Sequence, residues 1–289
     1  MKLTVFTPTF NRARLLPRLF ESIKRQNFRD FEWLIVDDGS SDDTRAVVDD
    51  IIKASDIAVR YIYQENAGKP SAFNNAVKNA RGELFFCVDS DDILSDGAVE
   101  TICGKWKEAG DNISGIIGLK SDFSGKLLCG EIPNGLKTSS LYSLVNNHGC
   151  SGEFSLVFRT DILRVNPFPV VNGEKFITEC VLYDKLDLKY GMMLLNKVLT
   201  VCEYQQGGLS DNPYAVQVNN PVGYKIYYMQ RLDMAISFRE RFGYALRYNA
   251  FRRLGKTKEY DYDGKHKKLV RISKPFGGLL SFYYRFKSK

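Results

Sequence analysis

Leu84-Phe85-Phe86-Cys87-Val88-Asp89-Ser90-Asp91-Asp92-Ile93 is the stretch around which the chain is organised. Leu84 to Val88 is an apolar run with no turn residue inside it, the pattern of a short buried strand. Three carboxylates follow within four residues. On an extended backbone alternate side chains share a face, which would set Asp89 beside Asp91. Adjacent anions repel unless a cation lies between them, and a hard divalent ion with oxygen ligands, Mg²⁺ or Mn²⁺, suits such a pair. Asp and Ser are also ordinary turn residues, and the cluster alone reads more readily as a solvated turn than as a metal site. The sequence to either side decides between the two.

Upstream, strand and helix patterns alternate. Leu3 to Thr7 is a β-rich run ended by Pro8, and Arg14 to Gln26 carries the helical stripe Leu15, Leu16, Leu19, Phe20 and Ile23. Phe31 to Val36 is a second strand closing on Asp37-Asp38-Gly39-Ser40, with Ser41 as N-cap of a helix bearing Val47, Val48, Ile51 and Ile52. Val59 to Tyr63 is a third strand. Lys69 to Ala80 is a helix with Pro70 at its start and Gly82 past its end. After Leu84 to Val88, Ser95 caps a helix with Val99, Ile102 and Trp106 inward. This alternation predicts an α/β fold with a mostly parallel central sheet and helices on both faces. Ligands of such sheets bind beyond the carboxyl ends of the strands. Four polar clusters stand there in succession: Thr7 to Arg12, Asp37 to Ser40, Gln64 to Lys69 and Asp89 to Asp92.

The second half is less regular. Gly115 to Lys120 and Lys126 to Gly130 read as a strand pair, Phe154 to Phe158 as a strand and Thr178 to Tyr190 as a helix. Met192 to Leu195 and Val198 to Tyr204 read as two strands, and Tyr224 to Phe242 as a helix whose aromatic residues pack inward. Gln205-Gln206-Gly207-Gly208-Leu209-Ser210 suits either a glycine-hinged lid or a plain connection.

The 289 residues, 44% of them hydrophobic, suffice for one large domain with an appendage. The net charge of +7 is unevenly placed: Arg241 to Lys289 holds fourteen Lys and Arg against three acids, +11, leaving −4 on the first 240 residues. Six cysteines form no C-x-x-C pair, and two histidines are too few for a His-based zinc site. No run approaches the length of a spanning helix, so the expected location is the cytoplasm.

Chemistry can be assigned to each cluster. Asp37 or Asp38 would accept a hydrogen bond from a ring imide N–H, which uracil offers and adenine lacks. Lys69 at a helix N-terminus suits a diphosphate, because the free N–H groups and the ammonium act together. Asn11 and Arg12 suit a base or a phosphate, or simply start the next helix. A metal between Asp91 and a diphosphate would neutralise charge developing on a leaving group.

Val5-Phe6-Thr7-Pro8-Thr9-Phe10-Asn11-Arg12, Val36-Asp37-Asp38-Gly39-Ser40-Ser41-Asp42-Asp43-Thr44, Asn66-Ala67-Gly68-Lys69-Pro70-Ser71-Ala72-Phe73-Asn74 and Asp89-Ser90-Asp91-Asp92, in that order and spacing, resemble family 2 glycosyltransferases of the GT-A fold. The likeness is firm to about Ala109 and looser over 150–215. It implies an inverting transferase that takes a nucleotide-activated sugar, usually UDP-linked, with Mn²⁺ or Mg²⁺. Carried over by position, it implies Asp38 at the base, Asp89 at the ribose and Asp91 on the metal. Pro8, Thr9, Asn11, Arg12, Lys69 and Ser90 would complete the nucleotide-sugar site. Inversion by a single displacement needs a carboxylate to take the acceptor's proton. The family places it in a Glu-Asp pair, but here Cys180 replaces the Asp. The role therefore moves to Glu179, with Glu174 and Asp184 as alternatives; otherwise Glu179 merely favours a helix N-terminus by its charge.

The expected organisation is a GT-A domain over 1–215, with a nucleotide-sugar half (1–110) and an acceptor half (111–215), and a basic helical extension over 216–289. Expected partners are the donor, a glycan or glycolipid acceptor and, through the basic tail, an anionic membrane surface at its inner face. Two other classes compete. A metal-dependent nucleotidyltransferase would want a glycine-rich phosphate loop after the first strand, and Thr7 to Arg12 has no glycine. A nucleic-acid-binding protein would account for the tail but not for the acidic body, so no nucleic acid is expected.

Overall fold

The computed structural model describes residues 1–203 and 212–289, which fall into two compact units. One comprises 1–168 with 186–203, the other 169–185 with 212–289.

The first unit runs β1 (Leu3–Thr9), α1 (Leu16–Lys24), β2 (Phe31–Asp37), α2 (Thr44–Ala54), β3 (Ala58–Tyr63), α3 (Lys69–Asn79), β4 (Leu84–Cys87), β5 (Ile93–Leu94), α4 (Ala98–Trp106), β6 (Ile113–Asp122), β7 (Thr138–Ser139), α5 (Leu141–Asn146), β8 (Ser155–Arg159) and α6 (Thr160–Arg164). After α7 (Cys180–Asp187) the chain returns as β9 (Gly191–Cys202). One sheet results, in the order β3-β2-β1-β4-β8-β6-β9-β5, with β7 on β9. β3, β2, β1 and β4 are mutually parallel, and β8 alone separates β4 from β6, which again runs parallel to β9. The strand ends Thr9, Asp37, Cys87 and Asp122 thus face one edge.

Every residue of β2 is buried, as expected of a parallel strand covered on both faces. The two-residue period sorts the core. Leu3, Val5, Trp33 and Phe86 pack with Leu16, Leu19, Val99 and Ile102 of α1 and α4. Phe6 and Phe85 turn the other way, with ring centroids 5.3 Å apart, and meet Phe73 of α3, which also packs on Phe168 at 5.0 Å. Glu32, fully buried within β2, accepts from Thr4 Oγ1 (2.7 Å), the Arg81 amide (2.7 Å) and Arg60 (2.9 Å). Those three donors make its burial tolerable.

Several local expectations are corrected. α2 begins at Thr44 and not after Ser41, because Asp42 receives the Thr44 amide and hydroxyl while Asn11 receives the Ser41 amide. Ser95 does not cap α4; its hydroxyl donates to the Val198 carbonyl at 2.5 Å, and the helix starts at Ala98. Lys126 to Gly130 forms only isolated bridges, since Asp122 Oδ1 takes the Ser124 and Lys126 amides and holds a side-chain-closed turn. Met192 to Cys202 is one strand, its break absorbed as register shifts against β6.

The second unit contains α8 (Pro213–Asn219), α9 (Pro221–Met234), α10 (Phe238–Gly255) and α11 (Lys267–Lys287). The expected Tyr224 to Phe242 helix divides where Ser237 and Glu240 form a reciprocal capping box that opens α10. Its core is aromatic: Tyr228, Tyr248, Phe251 and Tyr284, with Tyr224 and Tyr227 against them. Lys225 is fully buried, its ammonium donating to the carbonyls of Thr257 and Glu259 beside Asp261. α11 continues through Pro275 and Gly277-Gly278. A side chain at Gly277 would meet Asn249 Cβ at 2.4 Å, so glycine is what lets α10 and α11 touch.

Replacing Glu32 by Ala should leave Arg60 and Thr4 facing an empty acceptor site. The expected cost is about 3 kcal/mol, read as a fall of about 6–12 °C in melting temperature. A change within a degree would show that these donors find water instead.

Candidate functional site

The site is built where β1, β2 and β4 end. Asp38, just beyond β2, is 5% exposed, and its carboxylate accepts from Gln64 Nε2 (2.7 Å), the Ala67 amide (2.9 Å) and the Gly68 amide (2.8 Å). It thereby holds the loop that leads into α3. Gly39 lies against the same loop with φ +84°, and a side chain on it would meet the Asn66 nitrogen at 2.8 Å. Asp37 accepts from the Ser40 amide (2.8 Å) and the Tyr61 hydroxyl (2.6 Å).

Pro8 and Thr9 close β1, with Thr9 buried and its Oγ1 without a hydrogen-bond partner among the described residues. Asn11 takes φ +53°, a conformation that Asn tolerates better than most residues. Its carboxamide oxygen accepts from the Ser41 amide (2.8 Å) while its own amide donates to Ser40 Oγ (2.8 Å). Asn11 therefore ties the first loop to the second.

β4 stops at Cys87, and Asp89 to Asp92 form a turn closed by the Asp92 amide on the Asp89 carbonyl at 3.0 Å. The alternation that would have set Asp89 beside Asp91 is therefore lost. The three carboxylates have different surroundings. Asp89 meets Lys69 Nζ at 2.8 Å. Burial opposes its charge, but Lys69, with Lys120 and Arg12 behind it, outweighs that and holds the carboxyl below its ordinary range. Asp92 is buried and meets Lys120 Nζ at 2.8 Å. Burial pushes it up to about 6 against the pull of Lys120, with Asp89 adding to the rise. Asp91 is half-buried, and its carboxylate makes no hydrogen bond or ion pair among the described residues. Its carbonyl accepts from Arg18 Nη2 at 2.6 Å. That guanidinium also bonds Glu203 and lies 5.1 Å from the Phe123 ring centroid. Ser90 is buried in the turn.

The sequence motifs do not include Lys120 or Arg18. Lys120 carried a signal, being a lone cation at the end of the apolar strand Ile116 to Leu119. Arg18 carried none, since a polar residue on an amphipathic helix is unremarkable before the partner loop is known.

The downstream carboxylates lie in the second unit. Glu174 accepts the Val222 (2.7 Å) and Gly223 (2.8 Å) amides and so caps α9. Burial raises its carboxyl above the ordinary range despite those two bonds. Asp184 is buried and receives Arg231 through two nitrogens, at 2.6 and 2.9 Å. Glu179 is half-buried one residue before α7 and accepts from the Tyr183 hydroxyl at 3.3 Å. The glycine-containing stretch Gln205 to Ser210 lies outside the described residues.

Residues 4–162 match the model of one protein family, glycosyl transferase family 2. The chain belongs to this family. Over 195 residues it is 34% identical to the GalNAc(5)-diNAcBac-PP-undecaprenol beta-1,3-glucosyltransferase of Campylobacter jejuni, a match covering 64% of this chain and 59% of that protein. Over 105 residues it is 36% identical to the chondroitin synthase of Escherichia coli, covering 36% of this chain and 15% of that one. Among solved structures, Staphylococcus aureus TarS 1–349 superposes with a TM-score of 0.60 at 17% identity, over 100% of this chain and 88% of the other. The mannosyltransferase PcManGT of Pyrobaculum calidifontis gives 0.58 at 17% identity, over 99% and 85%. The fold is the α/β sheet of these glycosyltransferases, GT-A in type, with helices following at the C-terminus.

No group of three or more His, Cys, Asp or Glu able to hold a metal occurs among the described residues. Mg²⁺ is commonly bound by one or two carboxylates plus phosphate oxygens and not by an all-protein cage, and Asp91, whose carboxylate has no partner among the described residues, fits that pattern.

Lys120→Met should strand the buried Asp92 and cost about 3 kcal/mol in urea unfolding. Adding Asp92→Asn should restore more than half of that. Simple additivity of the two losses would mean that the pair is not coupled.

Proposed function

We propose that this family 2 member is an inverting, metal-dependent glycosyltransferase. It moves a sugar from a UDP-sugar to a hydroxyl of a glycan or glycolipid. The observation that carries the reading is the charge pattern of the Asp89 to Asp92 turn. Lysines meet Asp89 and Asp92, while the Asp91 carboxylate meets no cation among the described residues. Asp91 would hold Mn²⁺ or Mg²⁺, which supplies charge neutralisation at the departing diphosphate. Lys69, the first residue of α3, adds an ammonium where free helix amides already favour phosphate. Asp38 sets the loop carrying Lys69 and is the carboxylate proposed at the uracil edge, with Pro8, Thr9, Asn11, Arg12, Asp89 and Ser90 completing the donor site. UDP is favoured by the TarS structures, described as complexes with UDP and with UDP-GlcNAc, and a metal by the PcManGT complex with GDP-Man and Mn²⁺. The polyprenol diphosphate in the name of the Campylobacter relative favours a lipid-linked glycan as acceptor.

Glu179 is proposed to take the acceptor's proton. Glu174 and Asp184 are each held by two donors in structural roles, capping α9 and binding Arg231. A carboxylate at the start of α7 keeps partial exposure and a hydroxyl neighbour suited to orienting it.

Two measurements test the proposal. In thermal-shift assays UDP-sugars should raise the melting temperature with Mn²⁺ and much less in EDTA, and Asp91→Asn should lose both that shift and transfer while melting as wild type does without ligand. Wild-type transfer in EDTA would sink the metal assignment. Glu179→Gln should retain donor binding and lose about 10²–10⁴-fold in kcat. Unchanged kcat would move the base elsewhere.

A further inference from the structure

α11 has two unlike faces. Ser273, Gly277, Gly278, Ser281 and Tyr284 are buried. This seam packs on α10, where Asn249 Nδ2 donates to the Val270 carbonyl (2.8 Å) and Ser273 Oγ (3.0 Å). The opposite side carries Ile272, Phe276, Leu279, Tyr283 and Phe286, spaced four, three, four and three residues apart, which is one stripe on a helix. Ile272 is 64% exposed, Phe276 56%, Leu279 69% and Phe286 77%. A helix that met only water there would carry polar residues, and a continuous exposed apolar stripe marks a binding face.

The charges select the occupant. Lys267 to Lys287 contains six Lys and Arg and no acidic residue. At about 100° per residue, Lys267, Arg271, Lys274 and Arg285 gather in one basic sector between the stripe and the buried seam, with the exposed Phe282 between that sector and the stripe. Lys268 and Lys287 stand at its two ends. Protein–protein interface cores are depleted in lysine, whereas helices that lie in a lipid interface combine Lys and Arg with Leu, Phe and Trp. Nucleic acid would engage the basic sector but has no use for Phe276 or Leu279. No helix among the described residues is long and apolar enough to cross a membrane.

We propose that α11 lies flat on an anionic phospholipid bilayer, with Ile272, Phe276, Leu279, Tyr283 and Phe286 in the headgroup–acyl boundary and the basic sector against lipid phosphates. The contact is reversible and salt-sensitive, because its charged part is screened. It is carried by α11 itself and requires no turnover, so its test stands apart from the donor and acceptor assignments.

The full chain is sedimented with phosphatidylcholine vesicles with and without phosphatidylglycerol, at about 0.05 and about 0.5 M salt. Wild type should partition onto the anionic vesicles at low salt, and far less onto neutral vesicles or at high salt. Phe276→Ser with Leu279→Ser should lower that partition on the order of tenfold or more. Arg271→Glu with Lys274→Glu should lower it by at least as much, on anionic vesicles only. All four positions are exposed, so unchanged melting temperatures are expected of both variants. Failure of wild type to sediment at low salt, or equal sedimentation of wild type and both variants, would overturn the proposal. So would a dimer in solution that the Phe276 and Leu279 changes dissociate without affecting vesicle binding, which would give the face to a second copy.

Discussion

The arrangement of the edge where β1, β2 and β4 end depends on one buried carboxylate. Asp38 receives the amides of Ala67 and Gly68, the two residues immediately before Lys69 opens α3. A carboxylate that accepts two or three such bonds fixes the loop that supplies them, because losing them would leave a buried charge unsatisfied. The loop in turn sets where the Lys69 ammonium stands, and that ammonium reaches Asp89 in the turn after β4. Three strand ends are thus linked through charge-assisted bonds. Asn11 adds the β1–α1 loop to the same network through Ser40 and Ser41.

Buried ion pairs recur in both units. Lys120 meets Asp92 and Arg60 meets Glu32 in the first; Arg231 meets Asp184 and Lys225 lies beside Asp261 in the second. Pairs of this kind add little net stability over apolar packing, yet breaking one is expensive. Their consequence here is geometric. Lys120 holds Asp92 and Arg18 holds the Asp91 carbonyl, so the turn after β4 is gripped from two neighbouring elements while the Asp91 carboxylate has no partner among the described residues. The second unit solves a different problem. Its helices bury tyrosines and phenylalanines around Phe251, and small residues on α11 bring it close enough to α10 to do so.

Periodicity and turn composition were enough to place β1 to β4, the helices between them and the edge where their polar loops meet, because those signals are local. The spacing of four weak motifs made the family legible, which no single motif did. Boundaries were legible only to a residue or two: α2 and α4 start later than Ser41 and Ser95 suggested, since side chains from other loops and strands compete for the capping groups. In the second half the regular signal fades. A side-chain-held turn at Asp122 and a bulged β9 look like ordinary strands until their partners are known.

The sequence by itself determined the α/β alternation, the parallel order of its first strands' chemistry and the identity of the acidic turn, because each depends on residues within a few positions of one another. Only the tertiary structure decided which carboxylates in that turn meet a lysine among the described residues. Asp89, Asp91 and Asp92 are chemically alike in the chain, and their differences arise from Lys69 and Lys120, which lie on other elements. The same holds for α11. Its composition is basic and aromatic throughout, and packing on α10 is what turns the small residues inward and leaves Ile272, Phe276, Leu279 and Phe286 exposed. Composition distributes charge and apolar surface along the chain, whereas partners distant in sequence determine which of it remains available for binding.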